Sequence, residues 1–402
     1  MNTFEKLKMR PRYDFNRFTT TTIINILKKK VITENNVHLE YYKPKQKAFI
    51  LIANHTEALD PGYEMAAMKK YIRYVSSDHA VRMKIVGPVF KIVGGVIIKH
   101  RDKPSKILTD EIIKNLNAGI PVGLHAEGAM SLNGQTGFIS EHTGQLVKDS
   151  GAALVTYRFV GGYLRKPRWA NTARSGPIIG HFVGEYSPEQ LSKMSVQEIT
   201  ELIRRDTYVN VYEEQKKNPQ EYAGENLAEC VERILYMCPK CGEVGKLHSK
   251  GNSLTCDCGY SVDMGTDGLF HDTGSGNIID NVLDWDMWQR DEWKKKVLSA
   301  EKGSCIFTED GQIVKKVDGE EETDLSDNAT ITLYPESFVV DLKDGSEPIV
   351  MDINKIKQAS IANKDTLLIV DDKIFLDIKC HIPRSPNKYI AAWRYLTGKE
   401  YY

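Results

Sequence analysis

The sequence holds no long hydrophobic run. No stretch approaches the roughly 18 uninterrupted apolar residues that a spanning helix needs, so it predicts no transmembrane segment. The first thirty residues have neither an apolar core nor a small-residue cleavage site, which predicts no secretory signal. Net charge is absent too, 54 Lys and Arg balancing 54 Asp and Glu. Cysteine is sparse: seven in 402 residues, four of them in two close pairs. Without an export signal, that favours a metal site in a reducing compartment over disulfides. With 41% apolar and 27% charged residues, disordered, collagenous and disulfide-scaffold classes are excluded, and the length predicts two or three domains.

The zero net charge hides an asymmetry. Residues 1–200 carry 29 basic and 17 acidic side chains, whereas residues 201–402 carry 25 and 37. A basic half joined to an acidic half predicts an anionic partner for the first and a different task for the second. The expected location is the cytoplasm, peripheral on the inner face of the cell membrane. Within the basic segment 1–36, Ile23, Ile24, Leu27 and Val31 share one helical face beside Lys28, Lys29 and Lys30. An interfacial helix on anionic lipid and an ordinary packed surface helix both fit that pattern.

From Ala48 to about Val183, short apolar runs alternate with amphipathic stretches. Phe49–Ala53, Val96–Lys99, Val122–Leu124, Leu154–Phe159 and Ile178–Phe182 read as buried strands, and residues 107–116 as a helix ended by Gly119 and Pro121. This alternation predicts an α/β sheet layered by helices. Ser187 and Ser195 each open a capping box, and the helical region they start is expected to run to about Lys217. A helix is expected over 284–300. From Cys305 onward, turn pairs (Asp310-Gly311, Asp318-Gly319, Asp344-Gly345) punctuate strand-like text, and the chain closes on a helix around Tyr389–Leu396.

The segment that carries chemistry is Asn54-His55-Thr56-Glu57-Ala58-Leu59-Asp60, on the turn leaving the strand Phe49–Ala53. That places His55 at the carboxyl edge of the sheet, where α/β folds open their clefts. An Asp one helical turn away accepts one imidazole N–H and leaves the other nitrogen as a base. No serine or cysteine nucleophile is evidently paired with it, which points to direct removal of a proton from a substrate hydroxyl. Two more strand ends bring Lys99, His100 and Arg101, then His125, Glu127 and Gly128. A guanidinium suits a phosphate, and a glycine lets backbone N–H groups approach a ligand.

In this order the three segments resemble the glycerolipid acyltransferase family, which includes 1-acylglycerol-3-phosphate acyltransferase. Its first block, N-H-x-x-x-x-D, is intact as Asn54, His55 and Asp60; its second matches at Gly95, Ile98 and Arg101; its third, F-P-E-G-T-R-S, matches at Glu127, Gly128 and Ser131. The resemblance covers about residues 45–185. It implies that His55 is the general base and Asp60 its orienter. It also implies that Asn54, Arg101, Glu127, Gly128 and Ser131 serve the substrate. The third block here reads His125-Ala126-Glu127-Gly128-Ala129-Met130-Ser131, without the family's Phe, Pro, Thr and Arg. Arg158 or Arg168, in a basic aromatic stretch, is the candidate replacement for the missing phosphate-binding Arg. Solvated loop charges are the alternative. The implied donor is acyl-CoA, an acyl carrier protein or an acyl phosphate, the acceptor a membrane lipid of lysophosphatidic acid type, and the surface an anionic membrane. An acyltransferase-like lipid- or protein-binding scaffold without activity is the competing reading.

Cys238, Cys241, Cys256 and Cys258 form C-x2-C and C-x-C pairs separated by fourteen residues, each pair followed by glycine. Four thiolates at this spacing suit a structural Zn²⁺ in a ribbon, with a closed coordination sphere and no place for a reactive water; a redox dithiol is the alternative. His248 is expected on the surface, and Cys230, Cys305 and Cys380 as buried apolar fillers. The ribbon's acidic surroundings have the wrong sign for nucleic acid, so no nucleic-acid partner is expected. The expected fold class is therefore α/β. An acyltransferase domain with a mixed, mostly parallel sheet (37–230) precedes a zinc ribbon (231–270), a linker and helix (271–300), and an antiparallel β domain with a C-terminal helix (301–402). That last part is similar in pattern to pleckstrin-homology or GRAM domains.

Overall fold

A computed structural model describes residues 36–77, 96–99, 105–276, 278–318 and 321–399, with isolated positions before residue 36. The amphipathic segment expected at 23–31, and Gly95, His100 and Arg101, lie outside the described residues. The chain divides into two compact units, one of 1–167 and 174–222, the other of 168–173 and 223–402.

The first unit is built on seven strands: β1 (Val37–Leu39), β2 (Phe49–Ala53), β3 (Arg73–Ser77), β4 (Ile97–Lys99), β5 (Val122–His125), β6 (Ala153–Val160) and β7 (Ile178–Tyr186). They lie in the order β1-β7-β6-β2-β5-β3-β4, and among these pairings only β6–β7 is antiparallel. Central β2 is buried along its whole length because both faces are covered. Phe49, Leu51 and Ala53 pack with Tyr63, Ala67 and Met68 of helix α1 (Asp60–Met68). On the other face, Ile50 and Ile52 pack with Ile112 and Leu116 of α2 (Ser105–Asn117), Val147 of α3 (Glu141–Ser150) and a later helix. The sequence showed no clear signal for β1 and β3, one three residues long and the other opening on a charged residue.

After β6 comes the single turn α4 (Gly162–Arg165). The helical region expected to run to Lys217 is three helices, α5 (Pro188–Ser192), α6 (Val196–Thr207) and α7 (Val211–Lys217). Both capping boxes form, at Ser187 and Ser195. The breaks follow from the caps: Ser195 must be extended to cap α6, and Asn210 to cap α7, its side chain accepting from the N–H of Tyr212 and Glu213. Ile199, Leu202 and Ile203 are the α6 residues that complete the second face.

The second unit holds a four-stranded antiparallel sheet, β8 (Leu247–Lys250), β9 (Ser253–Cys256), β10 (Ser261–Met264) and β11 (Phe270–Asp272), in sequential order. Helix α8 (Val282–Leu298) buries Trp285 and Trp293, whose indole N–H groups donate to the carbonyls of Met237 and Lys388. A seven-stranded antiparallel sheet follows, made of β12 (Phe307–Asp318), β13 (Glu321–Leu333), β14 (Ser337–Asp341), β15 (Ile349–Asp352), β16 (Gln358–Ala362), β17 (Thr366–Val370) and β18 (Phe375–Cys380). Its order is β15-β14-β13-β12-β18-β17-β16. Helix α9 (Asn387–Leu396) packs Tyr389, Ile390 and Trp393 into the same core. Asp310-Gly311, expected as a turn, is an irregularity inside β12, where the register shifts between Glu309 and Gln312. Cys230 and Cys380 are buried, but Cys305 is exposed, a correction to its expected place in a core. Within this unit the strap 168–173 is clamped by Arg233, which donates to the Trp169 carbonyl and Asn171 Oδ1 while pairing with Asp365.

Candidate active site

The β2–β5 register sets Ala53 opposite His125, so the loops leaving the two strands start side by side. Asn54 extends the β2–β6 ladder with its side chain: its Nδ2 donates to the Phe159 carbonyl at 2.9 Å, and its Oδ1 accepts from the Phe159 N–H at 2.8 Å. The His55 N–H donates to Glu127 Oε1 at 2.7 Å, and the His55 carbonyl accepts from the Ser131 N–H at 2.8 Å. The backbone at His55 is therefore fixed from both sides before its ring does anything.

Asp60, the first residue of α1, is wholly buried. Its Oδ2 accepts from His55 Nδ1 at 3.0 Å and from the N–H groups of Thr56 (2.6 Å) and Glu57 (2.9 Å), while Oδ1 accepts from the Thr56 hydroxyl at 3.0 Å. An oxygen surrounded by donors fixes the tautomer: Nδ1 carries the hydrogen and Nε2 the lone pair. The His55 side chain is 21% exposed and lines a small hollow, with Asn54, Thr56, Glu127, Ser131 and Tyr163 among its neighbours. Gly162 opens α4 because a Cβ there would stand 2.2 Å from Thr56 Oγ1, so the turn can seat only glycine against this loop. Behind the loop, burial pushes the Glu57 carboxyl up, against the Tyr63 hydroxyl that donates to it at 2.8 Å.

The other expected site residues are placed as follows. Both Glu127 oxygens accept backbone N–H groups, from His55 and from Gly137. Ser131 Oγ donates to the Gln135 carbonyl at 2.8 Å and accepts from the Gly134 N–H at 3.0 Å. Gly128 adopts φ +74°, and its N–H donates to the His125 carbonyl. Ile98 is on β4, half-buried. Arg158, on β6, donates from Nη1 to the Tyr208 carbonyl at 3.5 Å, and its Nε is buried without a hydrogen-bond partner among the described residues. Arg168 falls in the second unit, where it donates to the Asn363 carbonyl at 3.2 Å, and it does not line the hollow. Of the two arginines offered as replacements, only Arg158 belongs to the unit that holds His55.

Burial pushes the Glu127 carboxyl up to about 7, against the two N–H groups that favour its charge. Its folded pKa exceeds the ordinary 4.5, so its contribution to stability is complete below about pH 4.5 and is lost as pH rises through 7. In Glu127→Gln that loss is expected to vanish. Denaturant titrations at about pH 4.5 and pH 8 should move by about 3 kcal/mol in the variant's favour across the interval. At the acid end the variant should be the weaker, because an amide N–H₂ must face a backbone N–H. Parallel pH curves for both proteins would contradict this assignment.

Two groups among the described residues bring three or more metal-capable side chains together. In the first, the sulfurs of Cys238 and Cys258, and of Cys241 and Cys256, stand 3.8 Å apart, and all four lie within 4.8 Å of one another. A tetrahedron with metal–sulfur bonds of about 2.3 Å has edges of about 3.8 Å, so the four cysteines can hold a metal ion. Gly242 and Gly259, at φ +72° and +82°, return the chain after each pair as the sequence pattern predicts. His248 is exposed, beside Asp257. The second group is His55, Asp60 and His125. Its imidazole rings are parallel, with centroids 4.0 Å apart, so their in-plane lone pairs do not converge on one point.

Residues 34–160 match the family model named Acyltransferase. They are an acyltransferase domain. Its model span contains the whole His55–Asp60 site, Glu127 and Ser131. A solved 1-acyl-sn-glycerophosphate acyltransferase, PlsC from Thermotoga maritima, is 19% identical over 53% of this chain and 86% of its own, at a TM-score of 0.41. The N-terminal PH domain of human ARAP2 is 8% identical over 22% of this chain and 78% of its own, at 0.19. No curated protein matches. Among the described residues, no helix of the acyltransferase domain or the rest of the chain is long and apolar enough to cross a membrane.

Proposed function

We propose that the acyltransferase domain moves a fatty acyl group from a thioester or acyl phosphate to a hydroxyl of a glycerol-phosphate lipid. The observation that carries this reading is His55 Nδ1 against buried Asp60 at 3.0 Å, with the ring exposed at the hollow. Nε2 takes the hydroxyl proton, the oxygen bonds to the acyl carbon, and the bond from that carbon to sulfur or phosphate oxygen breaks. The leaving group then receives the proton held on His55. Asp60 stabilises the imidazolium between those steps. Asn54, Glu127, Gly128 and Ser131 shape the hollow through the backbone contacts above, and Arg158 is the acceptor-phosphate candidate; Arg101 keeps that role from the sequence pattern. The basic half of the sequence supports work at an anionic membrane surface, peripheral on its cytoplasmic face.

The test is acyl transfer by the purified chain, with coenzyme A, carrier-protein and acyl-phosphate donors, onto lysophosphatidic acid in anionic vesicles. One ester formed per leaving group released is the expected result. No ester with any glycerol-phosphate acceptor would overturn it.

In the second unit we assign Zn²⁺ to the four cysteines, in a ribbon that braces the fold, followed by a β domain of the pleckstrin-homology or GRAM kind. Seven antiparallel strands with one C-terminal helix support the latter. Elemental analysis should give one zinc per chain. Its removal by chelator, or Cys238→Ser, should lower the unfolding temperature by about 10 °C or more. A metal-free protein with unchanged melting would favour a redox dithiol.

A further inference from the structure

Beside the proposed base lies a second histidine–carboxylate pair. His125 ends β5, and its Nε2 stands 2.9 Å from Oε1 of Glu64, a buried residue one turn beyond Asp60 on α1. The other Glu64 oxygen accepts the Tyr74 hydroxyl at 2.5 Å. Tyr74 reaches it by crossing β5 at Gly123, where a Cβ would stand 2.4 Å from the tyrosine ring. Burial pushes the Glu64 carboxyl up, while His125 and the Tyr74 hydroxyl favour its charge; as a carboxylate with a donor on each oxygen, it leaves the hydrogen on His125 Nε2. The His125 ring lies flat against that of His55, with 4.0 Å between centroids and 6° between planes. Two stacked imidazoles are thus each pinned by a carboxylate from the same helix, Asp60 for one and Glu64 for the other.

The titratable groups facing His125 are Glu64 and Asp60 from α1, Tyr74 from β3, Glu127 from its own loop and His55 from the loop after β2. Burial pulls the His125 pKa down, but the carboxylates, Glu64 first, outweigh it and hold it above the ordinary value.

We propose that His125 is a positioning residue for His55: anchored by Glu64, it fixes the plane of the His55 ring and sets a positive charge against its face. The proposal rests on the reading of His55 as the base. A cation stacked on the ring disfavours a second positive charge there. His55 then stays unprotonated to lower pH, and the proton it takes from a hydroxyl passes on more readily to the leaving group.

The test is the His55 pKa itself, followed by NMR in the full chain with isotope-labelled histidine and assigned by the resonance lost in His55→Ala. His125→Phe keeps an aromatic face and removes the charge. Glu64→Gln keeps the His125 ring and removes the carboxylate that holds its proton. Each variant is expected to raise the His55 pKa by about one unit and to move the acid limb of kcat/KM the same way. A packing role alone would leave the Glu64→Gln titration where it is in the wild type. An unchanged His55 pKa in either folded variant overturns the proposal, and if His125→Phe does not fold, Glu64→Gln decides alone. An active His55→Ala enzyme would instead remove the base assignment, while the titration still reports whether His125 governs His55.

Discussion

Replacing His55 by alanine is expected to lower acyl transfer by about 10²–10⁴-fold, the range that a positioned general base supplies. The variant is a clean one. The N–H and carbonyl of residue 55 stay tied to Glu127 and Ser131, and Asn54 still bridges to Phe159, so the loop keeps its shape without the ring. The loss should therefore fall on turnover, with thermal unfolding close to that of the wild type. Retained activity in a folded His55→Ala protein would mean that another group takes the proton.

The second large effect is at Asp60, where two substitutions separate charge from scaffold. In Asp60→Asn the amide oxygen can take the place of Oδ2 and keep the donors from His55 Nδ1, Thr56 and Glu57, with the amide nitrogen turned to the Thr56 hydroxyl. The opposite rotamer would set N–H₂ against two backbone N–H groups. Geometry and tautomer survive, but the negative charge that stabilises the imidazolium is gone. Turnover should fall by about 10²–10³-fold, the cost of losing one preorganised charge interaction. The His55 pKa should fall with it, moving the acid limb of the rate profile to lower pH, opposite to the shift expected from His125→Phe. Asp60→Ala leaves the Thr56 and Glu57 N–H groups without their acceptor, and should also destabilise the fold by about 1–3 kcal/mol. Equal stability of the two variants, measured by denaturant titration, would contradict the role of Asp60 in holding the 56–57 loop.

Much of this site was legible in the sequence because its decisive contacts are local. His55 and Asp60 are five residues apart, and the apolar run that places them, Phe49–Ala53, is the observed strand β2 residue for residue. The cysteine pairs were legible for the same reason, since short spacings and the glycines after them confine the geometry. What stayed hidden depends on elements meeting across the fold. Nothing in the motif around His125 says that Glu64, 61 residues earlier, stands under it, because that pairing needs α1 laid across the strand ends. A periodic reading could have found the hint: Glu64 follows Asp60 by four residues on an otherwise apolar face. The scaffolding roles of Asn54, Glu127 and Ser131 were hidden likewise, since their partners are backbone groups, which sequence does not distinguish. Arg168 looked equivalent to Arg158 as one of several basic residues in a row, yet the chain crosses between units between them.

In the proposed reaction an acceptor hydroxyl, deprotonated at His55, attacks the donor directly, and no acyl group is ever bonded to the protein. The most direct measurement mixes the purified chain with a radiolabelled acyl thioester alone, quenches in acid and counts label on the denatured polypeptide. No label on the chain is expected, and label in ester only after lysophosphatidic acid is added. Label bound to the chain in stoichiometric amount, and chased into product by the acceptor, would contradict it.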